Sequence, residues 1–282
     1  MIYRLRHETR FAYDGAVTHG YSEARLLPRP TPRQRILASA LVVDPEPDDR
    51  SEREDFFGNR VVYLGMARVH GVLVVTAEAD VEVGPGPEPA EVAWEEARAA
   101  ADGQAAQFTL ESPLVELPEG ADRYARKSFT SGRGLMEAAR ELTERIHHDF
   151  AYAPGVTTVL TPVSEVLARR RGVCQDFAHL EIACLRSLGL PARYVSGHLE
   201  MGVGVGASHA WCALRHPDGS WVDFDPTNRL VAPDHVTVAW GRDYTDVAPL
   251  KGIVFTEAGH HLSVSVTVHR VGEMAAGEAS GS

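Results

Sequence analysis

The chain has 282 residues, 44% of them hydrophobic and 24% charged, with a formal net charge of -11. That length and apolar share suit a soluble globular protein of one large or two ordinary domains, each with a buried core. The negative charge excludes ordinary nucleic-acid binding, which sets Lys and Arg against phosphates, and no apolar run reaches the ~20 residues that span a bilayer.

The opening segment MIYRLRHETRFAYDG alternates polar and apolar residues and lacks an apolar h-region, so a cytoplasmic location without a membrane partner is expected. Residues 1–83 read as a β-rich module. Ile2 to Tyr13 alternates, Ile36 to Val43 is apolar, and Val61–Leu64 and Val69–Val83 are Val-rich alternating patches. Asp55-Phe56-Phe57-Gly58-Asn59 has the composition of a hairpin turn. Gly84-Pro85-Gly86-Pro87-Glu88-Pro89 opens a linker and helical connection over 84–133. From 134 to 270 the chain reads as a second unit. Gly134 to Phe150 places Leu135, Ala138, Ala139, Leu142 and Ile146 on one helical stripe. Pro162 precedes a helix from Val163 towards Arg171, and Gly172 closes it. A further helix starts near Cys174 and stops at Gly189. Strands are expected at Arg193–His198, Ser208–Arg215 and Ser220–Asp225, with a last one in Gly252–Arg270. Residues 271–282 form a small, polar tail expected to be disordered. The order is a β-rich module, then helices followed by antiparallel strands, an α+β pattern.

Cys174, Cys184 and Cys212 are an odd, sparse set that argues against a disulfide framework. A buried small hydrophobe is the usual role of a cysteine. Cys174, however, opens a helix, where the positive end of the macrodipole favours a thiolate and unpaired first-turn N–H groups can hold an oxyanion. If Pro217 is the turn centre of the following hairpin, His209 lies directly opposite Asp225, within ~5 Å at Cβ and close enough for an imidazole–carboxylate hydrogen bond. The same parity puts Trp211, Trp221 and Asp223 on that face and Ala210, Cys212, Leu214, Val222 and Phe224 on an apolar one. Asp223 then faces Trp211, so Asp225 is the expected partner of His209. The implied chemistry is a thiol nucleophile, an imidazole base and a carboxylate that fixes the imidazole tautomer.

Gly172-Val173-Cys174-Gln175-Asp176-Phe177-Ala178-His179 and Gly189-Leu190-Pro191-Ala192-Arg193-Tyr194-Val195-Ser196-Gly197 resemble the Cys motif of bacterial transglutaminase-like proteins. Ala207-Ser208-His209-Ala210-Trp211 and Trp221-Val222-Asp223-Phe224-Asp225-Pro226-Thr227-Asn228 are similar to their His and Asp motifs, and Gly241 to Val247 continues the match. His7, Arg25-Leu26-Leu27-Pro28 and Phe57-Gly58-Asn59 resemble the β-module that precedes this core in bacterial members. The resemblance implies a papain-like α+β core with a Cys174, His209, Asp225 triad. It departs from eukaryotic crosslinking members, which have Trp where this chain has Gln175 and a calcium-regulated multi-domain build, so protein crosslinking is not implied. Tyr152 matches a family position upstream of the nucleophile that can donate to an oxyanion. Gln175 and Trp211 are further candidates for contact with substrate.

Asp176 and His179 are expected to order loops, and Gly202–Gly206 to form a wall or lid over the site. Cys174, His179 and His209 could together hold zinc, but no CxxC or HExxH spacing is present, and His147-His148 and His260-His261 are adjacent pairs whose side chains diverge. Neither a metal nor another cofactor is therefore expected. The expected function is acyl transfer from a peptide or small amide through a Cys174 thioester, with hydrolysis favoured over transfer to an amine. A non-catalytic scaffold would have lost a triad residue, and a redox protein would need a second cysteine near the first. Oligomeric state leaves no mark in the sequence.

Overall fold

The computed structural model describes residues 1–100, 103–200, 207–231, 234–256 and 259–272. The β-rich module contains β1 (Ile2–Val17), β2 (His19–Ala24), β3 (Gln34–Asp44), β4 (Asp49–Glu54), β5 (Arg60–Met66) and β6 (His70–Val83). Helices α1 (Trp94–Ala99), α2 (Glu119–Ala125) and α3 (Leu135–Asp149) follow, with a short 3-10 helix at Gly103–Thr109. Then come β7 (Ala151–Tyr152), α4 (Val163–Arg169), β8 (Arg171–Gly172) and α5 (Cys174–Ser187). The second large sheet is built from β9 (Ala192–His198), β10 (His209–Arg215), β11 (Trp221–Asp225), β12 (Leu230–Val231) and β13 (Val236–Gly241), and the chain ends through α6 (Tyr244–Val247), β14 (Leu250–Phe255) and β15 (His260–Gly272). No helix among the described residues is long and apolar enough to cross a membrane.

The architecture is α+β. The five-stranded central sheet runs β12-β11-β10-β9-β13, and α5 packs on it through Phe177, Leu180, Ile182, Cys184 and Leu185 against Ala210, Cys212, Leu214, Val222 and Phe224. That strand face is apolar at alternate positions, which is why it accepts a helix. The opposite face carries Val195, Trp211 and Ala213, bordered by Trp221 and Trp240.

Two differences from the sequence reading concern the β-rich module. The expected single strand in Gly252–Arg270 is two strands, and neither joins the five-stranded sheet. Strand β14 pairs with β2, and β15 pairs with β1 along Tyr3↔Arg270 to Tyr13↔His260. Strands β14 and β15 thus complete the module's two sheets, β15-β1-β6-β3 and β14-β2-β5-β4, although sequence order places them after the five-stranded sheet. Residues 271 and 272, expected in the tail, end β15, and the rest of that tail lies outside the described residues.

The module closes the β13 edge of the five-stranded sheet. The Gln34 side chain donates from Nε2 to the Thr237 carbonyl at 2.7 Å and accepts the Thr237 N–H on Oε1 at 2.8 Å. Asn59 repeats this at Trp240, donating to its carbonyl at 2.8 Å and accepting its N–H at 2.9 Å. Each amide side chain matches the donor–acceptor pair of one β13 residue, as a neighbouring strand would. Buried His7 on β1 meets His198 on β9, with ring centroids 5.2 Å apart.

Candidate active site

Helix α5 begins at Cys174 because its first turn is closed from the side. The Asp176 carboxylate accepts the Val173 N–H at 2.7 Å, the return half of a capping box, and the Thr157 hydroxyl at 2.7 Å. A Cβ at position 172 would come within 2.7 Å of that carboxylate, so Gly172 permits the cap. Cys174 is half-buried, whereas Cys184 and Cys212 are buried. The parallel pair β7–β8 sets Tyr152 beside Gly172 and so close to the thiol.

His209 and Asp225 come together on the opposite strands. The His209 ring bonds through Nε2 to Asp225 Oδ2 at 2.8 Å, and both side chains are wholly buried. The hairpin register differs from the expected one. Its loop is Pro217-Asp218-Gly219, with the Gly219 N–H bonded to the His216 carbonyl and Gly219 at φ 93, so the turn is centred on Asp218. A type I turn closed by a left-handed glycine adds the third loop residue. The ladder pairs Ala213 with Asp223 and Cys212 with Phe224, which sets Trp211 rather than His209 against Asp225. Moving the centre by one residue shifts the register by two and leaves every side chain on its face, so the expected His209–Asp225 contact survives diagonally.

Asp225 is saturated with donors. Oδ1 accepts the N–H groups of Thr227 at 3.0 Å and Asn228 at 3.2 Å, and Oδ2 accepts His235 Nε2 at 2.9 Å and Asn228 Nδ2 at 2.9 Å besides His209. Burial would raise its pKa, but the hydrogen bonds from His209 and His235 hold it well below the usual carboxylate range. An ionised carboxylate only accepts, so each ring presents Nε2–H to it. In neutral His209 the lone pair then sits on Nδ1. That nitrogen makes no ordinary hydrogen bond, and the group adjoining the ring beyond Asp225 is the Cys174 thiol. Such contacts are commonly long in unliganded sites and tighten with substrate. Burial lowers the His209 pKa, yet Asp225 and then Cys174 more than offset it and push it up to about 9.

The remaining expected site residues fall out as follows. Tyr152 is 39% exposed, and burial together with the nearby Cys174 raises its pKa. Gln175 donates to the Val159 carbonyl at 3.2 Å, tying down the loop beside the nucleophile. Trp211 corrects the expectation: it is fully buried, stacked on the His209 ring at 6.0 Å, and so supports the imidazole instead of lining a substrate path. Asp176 and His179 order their surroundings, His179 accepting the Tyr244 N–H at 3.2 Å. The expected Gly202–Gly206 lid lies outside the described residues.

Sequence reasoning missed His235 and gave Asn228 no role. Their signals were a histidine placed just before the apolar run of β13 and an asparagine three residues after Asp225. His209, Asp225 and His235 offer ligand atoms within 4.8 Å of one another, a spacing that could also hold a metal ion. Each of the two Nε2 atoms is bonded to Oδ2, so all three candidate ligand atoms have partners within the cluster. His179, part of the zinc set weighed from sequence, turns its ring to Tyr194 and Tyr244.

Two family profiles match the chain. The bacterial transglutaminase-like N-terminal region covers residues 3–82, and the transglutaminase-like superfamily covers residues 122–226. An uncharacterised protein of Mycobacterium tuberculosis strain H37Rv is 41% identical over 288 residues, spanning 94% of this chain and 92% of that protein. One of Mycobacterium leprae is 34% identical over 95% of this chain and 98% of its own length. The crystal structure of a candidate cysteine protease from Cytophaga hutchinsonii superposes with a TM-score of 0.77 at 23% identity, over 97% of this chain and 92% of that one.

Proposed function

The chain belongs to the transglutaminase-like superfamily, and from that premise we propose that it is a cysteine-dependent acyl-transfer enzyme with hydrolysis as its main outcome. The observation that carries the reading is the His209 ring, bonded to Asp225 at Nε2 with Nδ1 unpaired and the Cys174 thiol nearby. At neutral pH the thiol proton already rests on His209 as an imidazolium beside the Cys174 thiolate, and the thiolate attacks the carbonyl of a peptide or small amide. The oxyanion meets the Cys174 N–H at the start of α5 and the Tyr152 hydroxyl. His209 then protonates the leaving amine, which departs and leaves a thioester on Cys174. Water, deprotonated by His209, attacks the thioester and releases the acid. Free cysteines at all three positions suit a reducing compartment such as the cytoplasm.

The Cytophaga hutchinsonii structure is that of a candidate cysteine protease, and hydrolysis by this chain would be in keeping with it. Transfer to an amine is the second reading, because the thioester partitions between water and any amine that reaches it. Mass spectrometry after incubation with a peptide and small-amide pool is expected to find an acyl adduct on Cys174 and to identify the donor. With that donor, turnover should proceed without added amine. Strict dependence on a particular amine would make the enzyme a dedicated transamidase, and absence of any adduct on Cys174 would remove the catalytic reading.

A further inference from the structure

On the face of the catalytic sheet away from α5, where the β-rich module covers it, lies a cavity of about 510 Å³ that the reaction above does not use. Its sheet wall is Arg193, Trp221, Asp223 and Trp240, and its outer wall includes Arg33 and the linker proline Pro87. That volume is within the range of small-molecule sites.

Arg193 is the unusual feature of this cavity. Only 8% exposed, its guanidinium sits 3.7 Å from the Trp240 ring centroid and 4.3 Å from that of Trp221, and its Nε has no hydrogen-bond partner. The side chain also lines a second cavity of about 280 Å³ towards Phe57 and Phe108. Burial lowers its pKa to about 9, against the opposing charge of Asp223, so it remains cationic at neutral pH. A buried charge whose donors are incompletely used is costly and takes an anion readily. Among the described residues, the charged side chains lining the cavity are Arg33, Arg193 and Asp223, two positive and one negative. Indole and proline surfaces supply the rest of the wall.

We propose that this junction cavity is a binding site for a small organic carboxylate, its anionic head on Arg193 and its apolar body against Trp221 and the linker prolines. The site stands apart from the triad and does not depend on the catalytic reading. Trp211, packed with Val195 and bordered by Trp221 and Trp240, stacks on His209 and separates the two.

The test uses the full chain carrying Cys174→Ala, so that the thiol cannot take part, with 3-phenylpropionate as probe and its amide and amine analogues as neutral and cationic controls. Three of the four tryptophans, Trp211, Trp221 and Trp240, lie at this junction, so intrinsic fluorescence reads occupancy. The carboxylate should bind saturably and at least about tenfold more tightly than the amide or the amine, the gain expected of a charge-assisted bond. Arg193→Met should remove that preference. Asp223→Asn, which deletes the one opposing charge, should tighten the carboxylate several-fold, an effect that a folding defect does not produce. Equal binding of the three probes, no saturable binding at millimolar concentration, or weaker carboxylate binding by Asp223→Asn would overturn the assignment.

Discussion

His209 and His235 donate from Nε2 to one and the same oxygen, Asp225 Oδ2, at 2.8 and 2.9 Å. His235 therefore holds the carboxylate that holds the catalytic candidate, without itself adjoining Cys174. Replacing it with Phe removes one donor and leaves the His209 bond free to swing. A loss of about tenfold in kcat with little change in KM is expected, the scale seen for outer supporting groups. Unchanged steady-state kinetics for His235→Phe would deny it any positioning role.

Asp225→Asn should cost on the order of 10³–10⁴ in kcat, because the amide can hold the wrong imidazole tautomer. Asp223→Asn should cost far less, since Asp223 lies opposite Ala213 and makes no bond to the His209 ring. The pH profile adds a second readout. Asp225 is the chief group raising His209, whose pKa stands at about 9. A raised folded pKa means the imidazolium persists until pH climbs through that value. The alkaline limb of activity should lie near there and move down in Asp225→Asn.

Iodoacetamide should modify Cys174 far faster than Cys184 or Cys212 near neutral pH. The latter two are fully buried, and burial pushes both thiols up. To separate base assistance from exposure, His209→Ala should slow Cys174 labelling at least about tenfold while leaving the other two cysteines unreactive. Equal labelling of all three cysteines in the folded protein would sink the assignment of the nucleophile.

Acid should loosen the junction between module and catalytic sheet. Burial lowers His7 to about 4, and burial with the adjacent His7 lowers His198 to about 3. For a histidine depressed from 6.5, the unfolded chain takes up the proton first, so stability is full above 6.5 and falls as pH drops towards 4. His7→Leu should remove roughly one proton from that dependence, ~1.4 kcal/mol per pH unit inside the window, measured by urea unfolding at pH 6.5 and 4.5. An unaltered slope would show that His7 does not stay neutral in the fold.

The His209–Asp225 contact and the helix start at Cys174 were legible because residue types at chain-order spacing point to a Cys, a His and an Asp whatever the exact ladder. Even the misplaced turn centre changed the pairing by an even number and kept the faces. His235 was not legible: it belongs to a loop before β13 and reaches Asp225 only through the tertiary fold. Strand β4, Asp-Arg-Ser-Glu-Arg-Glu, is exposed at every position and shows none of the period-2 hydrophobicity that betrays a strand. For β14 and β15 the alternation was visible, but alternation names a strand and not the sheet that receives it. Gln34 draws no reading and Asn59 reads as part of a hairpin turn, whereas each matches the backbone of a residue some two hundred positions away in the chain.

Because β15 completes the sheet begun by β1, a strand made before the catalytic segment waits for one made after it. At ~5–20 residues per second of synthesis, β1 keeps an open edge for tens of seconds while the whole catalytic segment is made. Its hydrogen-bonding groups on that side are satisfied only when Tyr13 meets His260 and Tyr3 meets Arg270. Contacts so distant in sequence make for slow final docking, and an unpaired edge in the interval invites association between nascent chains. Arg4, Arg6, Glu8 and Arg10 along β1 place charge at alternate positions there, the kind of side chain that keeps such an edge from pairing with another copy until its own partner strand arrives.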